Sequence, residues 1–189
     1  MIRAFLAVPL NDAMRARYAA HHAEALRRYP KLRWVRPENV HVTLRFLGES
    51  SEETLERLRA VTQPALSRLK PFQLSLGAPG AFGPRPQPRT LWIGLEKGAE
   101  EMKALAGILE AIARNLGFEP DEKPWSPHIT VARNPDHTAA EGCIDFLASS
   151  GLSGMALEVA DATLFSSNLL PGGPKYATLW KARLSAAPP

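Results

Sequence analysis

Two short stretches of this chain repeat each other. The first is His41-Val42-Thr43-Leu44 and the second is His128-Ile129-Thr130-Val131, each reading His, apolar, Thr, apolar. With eight threonines and five histidines in 189 residues, chance places Thr two positions after His only about 0.2 times. Both stretches are β-rich, and a strand sends alternate side chains to opposite faces. His41 and Thr43 therefore share one face, while Val40, Val42, Leu44 and Phe46 share the other, buried one. His128 and Thr130 pair in the same way, opposite Ile129 and Val131. Such a repeat asks for two similar halves, each built around one His-bearing strand.

The remaining patterns fit that demand. Residues 2–8 read as a buried strand ended by Pro9, and Asn11 or Asp12 can cap a helix reaching about Tyr29. Gly48 is expected to stop the first motif strand. Ser50 and Glu53 form a capping box for the next helix, which Pro64 should kink or split. A strand is expected over 71–77. The prolines and glycines of 78–89 read as a loop, followed by a strand at 91–95. Met102, Leu105, Ile108, Leu109, Ile112 and Leu116 mark an amphipathic helix with Gly117 as its stop. After the second motif, Thr138 and Glu141 read as another capping box. Strands over 157–165 and 176–184 are expected to form a hairpin around Pro171-Gly172-Gly173-Pro174. The predicted fold class is α+β and bilobal. No linker separates the lobes, so residues 1–189 read as one domain.

Composition narrows the class further. Hydrophobic residues make up 45%, enough for one well-cored domain. No apolar run approaches the roughly 20 residues of a membrane helix. The segment from Met1 to Pro9 lacks the basic and long apolar regions of a signal peptide. Cys143 is the only cysteine, which excludes an internal disulfide and fits a reducing cytoplasm. The net charge of +4 is compatible with an anionic partner.

If the two motif strands meet across a groove, two imidazoles and two hydroxyls converge on a volume that suits a phosphate. The hydroxyls of Thr43 and Thr130 can donate to its oxygens, and His41 and His128 can move protons. Opening a cyclic phosphate needs a base for water and an acid for the leaving oxygen. Imidazole titrates near 6.5, so one ring can be neutral while its partner is charged. No carboxylate cluster or cysteine set suggests a metal, and no cofactor is expected. Arg133 is a further candidate ligand for phosphate or ribose, or else a surface arginine. Strict alternation sets it opposite His128, so the strand must end or bulge before it. Arg45 falls on the His41 face by the same count and could add positive charge. Trp125 could stack on a base or pack in the core, and Trp34, Tyr176 and Phe82 have the same two readings. His21 and His22 fit no motif and are expected on the solvent side of their helix.

At these residues the chain resembles the two-histidine phosphoesterase superfamily. Within it, the likeness is to the RNA 2′,3′-cyclic phosphodiesterases, also called 2′-5′ RNA ligases. The resemblance runs from Arg3-Ala4-Phe5-Leu6-Ala7-Val8-Pro9 through Pro37-Glu38-Asn39-Val40-His41-Val42-Thr43-Leu44-Arg45-Phe46-Leu47-Gly48. It continues in Pro127-His128-Ile129-Thr130-Val131-Ala132-Arg133, in Leu164-Phe165-Ser166-Ser167 and in Gly172-Gly173-Pro174-Lys175-Tyr176. It implies two lobes about a pseudo-twofold axis, with the motifs lining a central cleft. It also implies His41 as proton donor and His128 as acceptor, an order the near-identical motifs do not themselves dictate. The implied partner is RNA with a 2′,3′-cyclic phosphate end, or a cyclic nucleotide; a monomer without a membrane partner is expected. Open alternatives are the reverse reaction (2′-5′ ligation), a small cyclic-nucleotide phosphodiesterase, and a non-catalytic RNA-end binding module.

Overall fold

A computed structural model describes residues 1–84, 86–121 and 124–186. In chain order the elements are β1 (Ile2–Pro9), α1 (Asp12–Arg28), β2 (Arg33–Trp34), a 3-10 turn (Pro37–Asn39), β3 (His41–Ser50), α2 (Glu52–Leu66), β4 (Phe72–Phe82) and β5 (Thr90–Lys97). Then come α3 (Ala99–Asn115), β6 (His128–Arg133), α4 (Cys143–Ala148), β7 (Ala156–Val159), β8 (Asp161–Leu170) and β9 (Gly173–Arg183). The strands form one sheet in the order β7-β4-β5-β6-β3-β1-β8-β9, with β2 added beside β6.

That order is symmetric about its middle. The pair β3–β6 is joined at Val42 and Ile129, the same position of the two motifs, so the pseudo-twofold axis passes between them. Outward on each side lie β1 and β5, then β8 and β4, then β9 and β7. The helices follow the same rule. α1 and α3 each follow a second strand from the axis, while α2 and α4 each follow a motif strand. α3 packs on β3, α2 on β9 and α4 on β4. The buried face of the central strands, with Leu6, Val42, Leu44, Ile129 and Val131, forms the core under these helices. The fold is the expected α+β arrangement of two related halves. Among the described residues, no helix is long and apolar enough to cross a membrane.

Local details depart from the sequence reading, each for a visible reason. β3 does not stop at Gly48. Leu47 is an extra residue opposite the Ala4–Phe5 step, and Gly48 takes φ +70°, a bulge geometry that glycine permits. The α2 cap is Ser51, whose Oγ accepts from Thr54 N at 3.1 Å, not Ser50. α2 runs through Pro64 and ends two residues later at Leu66. The segment expected as a loop from residue 78 is β-strand as far as Phe82. Its register with β5 slips between Leu76 and Pro79, and β7 pairs β4 only over Phe72–Ser75. Pro79 thus follows a bulge and, among the described residues, has a neighbouring strand on one side only, an edge position that tolerates proline. The second capping box is absent. Thr138 Oγ1 and N bond Asn134 Oδ1 at 3.1 and 3.0 Å, and α4 starts after Gly142 at φ +71°. The strand expected over 157–165 breaks at Ala160, where the chain passes from β4 to β1.

Candidate active site

Each histidine opens its strand, and each is oriented in the same way. His41 Nδ1 lies 2.7 Å from Asn39 O, and His128 Nδ1 lies 2.8 Å from Ser126 O. A carbonyl two residues back can only accept, so Nδ1–H donates and Nε2 is left for the groove. Thr43 Oγ1, at 3.0 Å, then donates to His41 Nε2. The antiparallel register at Val42 and Ile129 sets His41 across from Thr130 and Thr43 across from His128. Four groups expected from two distant stretches therefore line one side of the two central strands.

The turn before His41 is braced from outside the motif. Asn39 is buried and its Nδ2 donates to Pro174 O at 2.7 Å, while Arg36 donates to Gly172 O at 2.7 Å. These bonds hold the β8–β9 hairpin against the groove and bring Tyr176 edge-on to His41, with ring centroids 5.6 Å apart. Phe5 approaches His41 to 4.9 Å. On the other half, Phe82 meets His128 edge-on at 5.2 Å, and Trp92 lies 6.4 Å away.

Matched bulges decide what stands five residues after each histidine. Leu44 is the extra residue between the Ala7–Thr43 and Leu6–Arg45 pairs. Val131 is the extra residue between the Trp92–Thr130 and Leu91–Ala132 pairs. The slip before Arg133 is the expected one, and it returns Arg133 to the His128 face, exposed. Tyr18 secures that bulge from α1, its hydroxyl lying 2.8 Å from Val35 O and 3.1 Å from Val131 O.

The corresponding slip in β3 overturns two readings. Arg45 leaves the His41 face, and only 4% of it is exposed. It pairs with Glu110 and, at 2.9 Å, with Asp121, and it donates to the carbonyls of Phe46 and Glu119. It ties β3 to α3 and to the segment leading into β6, and it is no phosphate ligand. Phe46, expected in the core, is 55% exposed and stands 5.9 Å from Phe5. Periodicity alone could not reveal this, because a bulge belongs to a strand pair.

Trp125 is half-buried, packs against the core, and donates from Nε1 to Thr43 O at 2.9 Å. It ties the approach to the second motif onto the first motif. Trp34 is buried and donates to Tyr29 O, a core position. His21 is not on a solvent face. It is buried and stacks on Phe146 at 4.1 Å, while His22 sits half-buried beside Tyr18. Desolvation lowers the pKa of both.

The electrostatics of the groove are uneven. Burial pushes the His41 imidazole down to about 4, against a raising effect from the Asn39 carbonyl, and the Arg133 and His128 charges lower it further. Burial raises the Tyr176 phenol, while Arg133 and Arg3 oppose it. Arg133 thus projects its field onto His41 and Tyr176. A cationic groove that disfavours a second proton is one that an anion would stabilise.

Paired imidazoles and hydroxyls beside a guanidinium are the groups that acid–base chemistry on a phosphate ester calls for. The chain belongs to the 2′-5′ RNA ligase superfamily, whose family model matches residues 15–167. It is 35% identical over 182 residues to an Archaeoglobus fulgidus RNA 2′,3′-cyclic phosphodiesterase, covering 94% of this chain and 98% of that one. The crystal structure of TT0787 from Thermus thermophilus superposes with a TM-score of 0.80 at 29% identity, over 97% of this chain and 98% of that one. E. coli LigT complexed with 3′-AMP superposes with a TM-score of 0.78 at 26% identity, over the same shares.

Proposed function

We propose that the protein hydrolyses RNA 2′,3′-cyclic phosphodiester ends to 2′-phosphomonoesters by acid–base catalysis between His41 and His128. The observation that supports this reading is the Val42–Ile129 junction, from which both His-Thr pairs fall on the same face of two neighbouring strands. The Archaeoglobus fulgidus relative bears this activity in its name, and the LigT structure complexed with 3′-AMP holds a ribonucleotide monophosphate, of the isomer opposite to the expected product. Thr43, Thr130 and Arg133 hold the phosphate oxygens. Following the family order, His128 takes the proton of water while His41 gives one to the departing ribose 3′-oxygen. The new P–O bond forms as P–O3′ breaks, and no redox partner is needed. Both motifs come from one chain, so a single copy completes the site. A buried, unpaired Cys143 fits a reducing cytoplasm.

The test is turnover of 2′,3′-cyclic AMP by purified protein, with the product isomer identified. Loss of a general acid or base costs about 10²–10⁴-fold. His41→Ala and His128→Ala should each lose at least a hundredfold in kcat, and EDTA should change nothing. A 3′-phosphate product, or an alanine variant within tenfold of the parent, contradicts the reading.

A further inference from the structure

Aromatic surfaces border both histidines. Tyr176 stands against His41, packed on the buried Phe5. Phe82 and Trp92 stand against His128 and 5.4 Å from each other. A cyclic mononucleotide carries one base and can cover one of these surfaces. The other needs its own explanation.

Core packing does not supply it, because 41% of Phe82 is exposed. The indole, moreover, sits in a prepared seat. Trp92 is registered with Gly80 on β4, and it shares a strand face with Gly94, which is registered with His128. A Cβ at Gly80 would overlap the six-membered ring of Trp92, and one at Gly94 would come within 3.3 Å of it. Two glycines in strand interiors weaken a sheet. Here they clear the surface so that the ring lies against backbone beside His128. Phe82 and Trp92 share the groove face with His128, Thr130 and Arg133, through the pairs Phe82–Thr90, Thr90–Arg133 and Trp92–Thr130.

We propose that Phe82 and Trp92 form a second nucleoside subsite, which stacks the nucleoside esterified through its 5′-oxygen on the His128 side of the phosphorus. This rests on the phosphodiesterase reading for the position of the phosphorus. The oxygen facing His128 is water in hydrolysis. In a 2′-5′ dinucleoside monophosphate that place belongs to the 5′-oxygen, and the base attached through it reaches the Phe82–Trp92 surface. The first nucleoside keeps to the Tyr176 side. The ligand class is therefore a phosphodiester with a nucleoside on each side.

Adenylyl-2′,5′-adenosine and adenosine 2′-(methyl phosphate) separate this from phosphate binding, since both are monoanionic diesters and only one has a second base. Base–aromatic stacking is worth about 1–3 kcal/mol per base. The dinucleotide should bind the parent protein about tenfold more tightly than the methyl ester, read by calorimetry. Trp92→Leu should bring that ratio close to one. Gly80→Ala keeps the indole but lifts its ring, and should shrink the ratio as well. Far-UV circular dichroism checks that both variants fold. A ratio near one in the parent, or a ratio that survives Trp92→Leu, overturns the subsite. Failure to turn over 2′,3′-cyclic AMP would instead strike the phosphodiesterase reading, while the affinity ratio would still report on the subsite.

Discussion

His41 presents a problem that its own surroundings can solve. A proton donor must carry a proton, yet burial and the Arg133 and His128 charges hold this ring down at about 4. Binding an anion should reverse that. A unit negative charge about 4 Å from the ring is worth about 4 kcal/mol at an effective dielectric constant of about 20. At about 1.4 kcal/mol per pKa unit this is a shift of about three units, enough to bring the ring to about 7. The sign follows from linkage. The anion favours imidazolium, so between the two pKa values binding takes up a proton, and affinity weakens as pH rises through the upper one. The assay is an NMR titration of the His41 Cε1–H resonance, assigned with His41→Asn, with and without saturating sulfate, which keeps its charge across the range. The free protein should titrate near 4 and the sulfate complex at least two units higher. Calorimetry at pH 5.5, in buffers of different ionisation heats, should show about one proton entering with each sulfate. A free-state midpoint near 6.5, or a midpoint unmoved by sulfate, would refute the reasoning and leave His41 without a way to act as the acid.

Two further substitutions probe the groove and its support. Arg133→Gln removes a charge-assisted contact worth about 1.5–3 kcal/mol, so kcat/KM for 2′,3′-cyclic AMP should fall about 10–100-fold. In the same variant the free His41 midpoint should rise, because Arg133 lowers it; a purely surface arginine would move neither quantity. Arg45→Met leaves Glu110 and Asp121 without their buried cation. Breaking such a pair costs about 3–5 kcal/mol, at the lower end here because both carboxylates are partly exposed, and at about 2–4 °C per kcal/mol for a chain of this size the Tm should drop by at least about 6 °C. A drop under about 2 °C, measured by calorimetric melting, would mean that the cluster does not hold β3 to α3.

What the sequence discloses here follows from the range of each signal. The period of two is local, so the pairings of His41 with Thr43 and of His128 with Thr130 are readable from four residues apiece, and their repetition announces the twofold. A bulge is not local. It exists only when a strand is laid against a particular partner, so nothing in residues 41–46 shows that Leu44 is the extra one. The slip at Val131 was foreseeable only because Arg133 had to return to the groove to be useful. Unbroken alternation, applied to Arg45, pointed to the wrong face. Composition misleads in a similar way at Pro79. Proline is a sound argument against a paired N–H, but β4 has one open side at that point. The glycines that seat Trp92 are invisible for a third reason, since their meaning lies in the strand opposite.

These two bulges also explain how a duplicated site can have a direction. His41 and His128 have matching residues through the first three positions of each motif, and two equivalent imidazoles would divide the work of acid and base in either order. The equivalence ends at the fifth residue after each histidine, where the first half presents Phe46 and the second Arg133 on the groove face. An exposed phenyl ring and a guanidinium differ by a full charge and by their demand for water. Arg133 reaches across the axis to depress His41, while the first half offers no cation at the matching place. One residue difference, delivered by identical slips in two strands, therefore adds to burial, the larger cause, in holding the His41 ring down. Exchanging these residues in the double variant Phe46→Arg with Arg133→Phe should raise the His41 midpoint, and a His41 midpoint that stays near 4 would place the whole depression in burial.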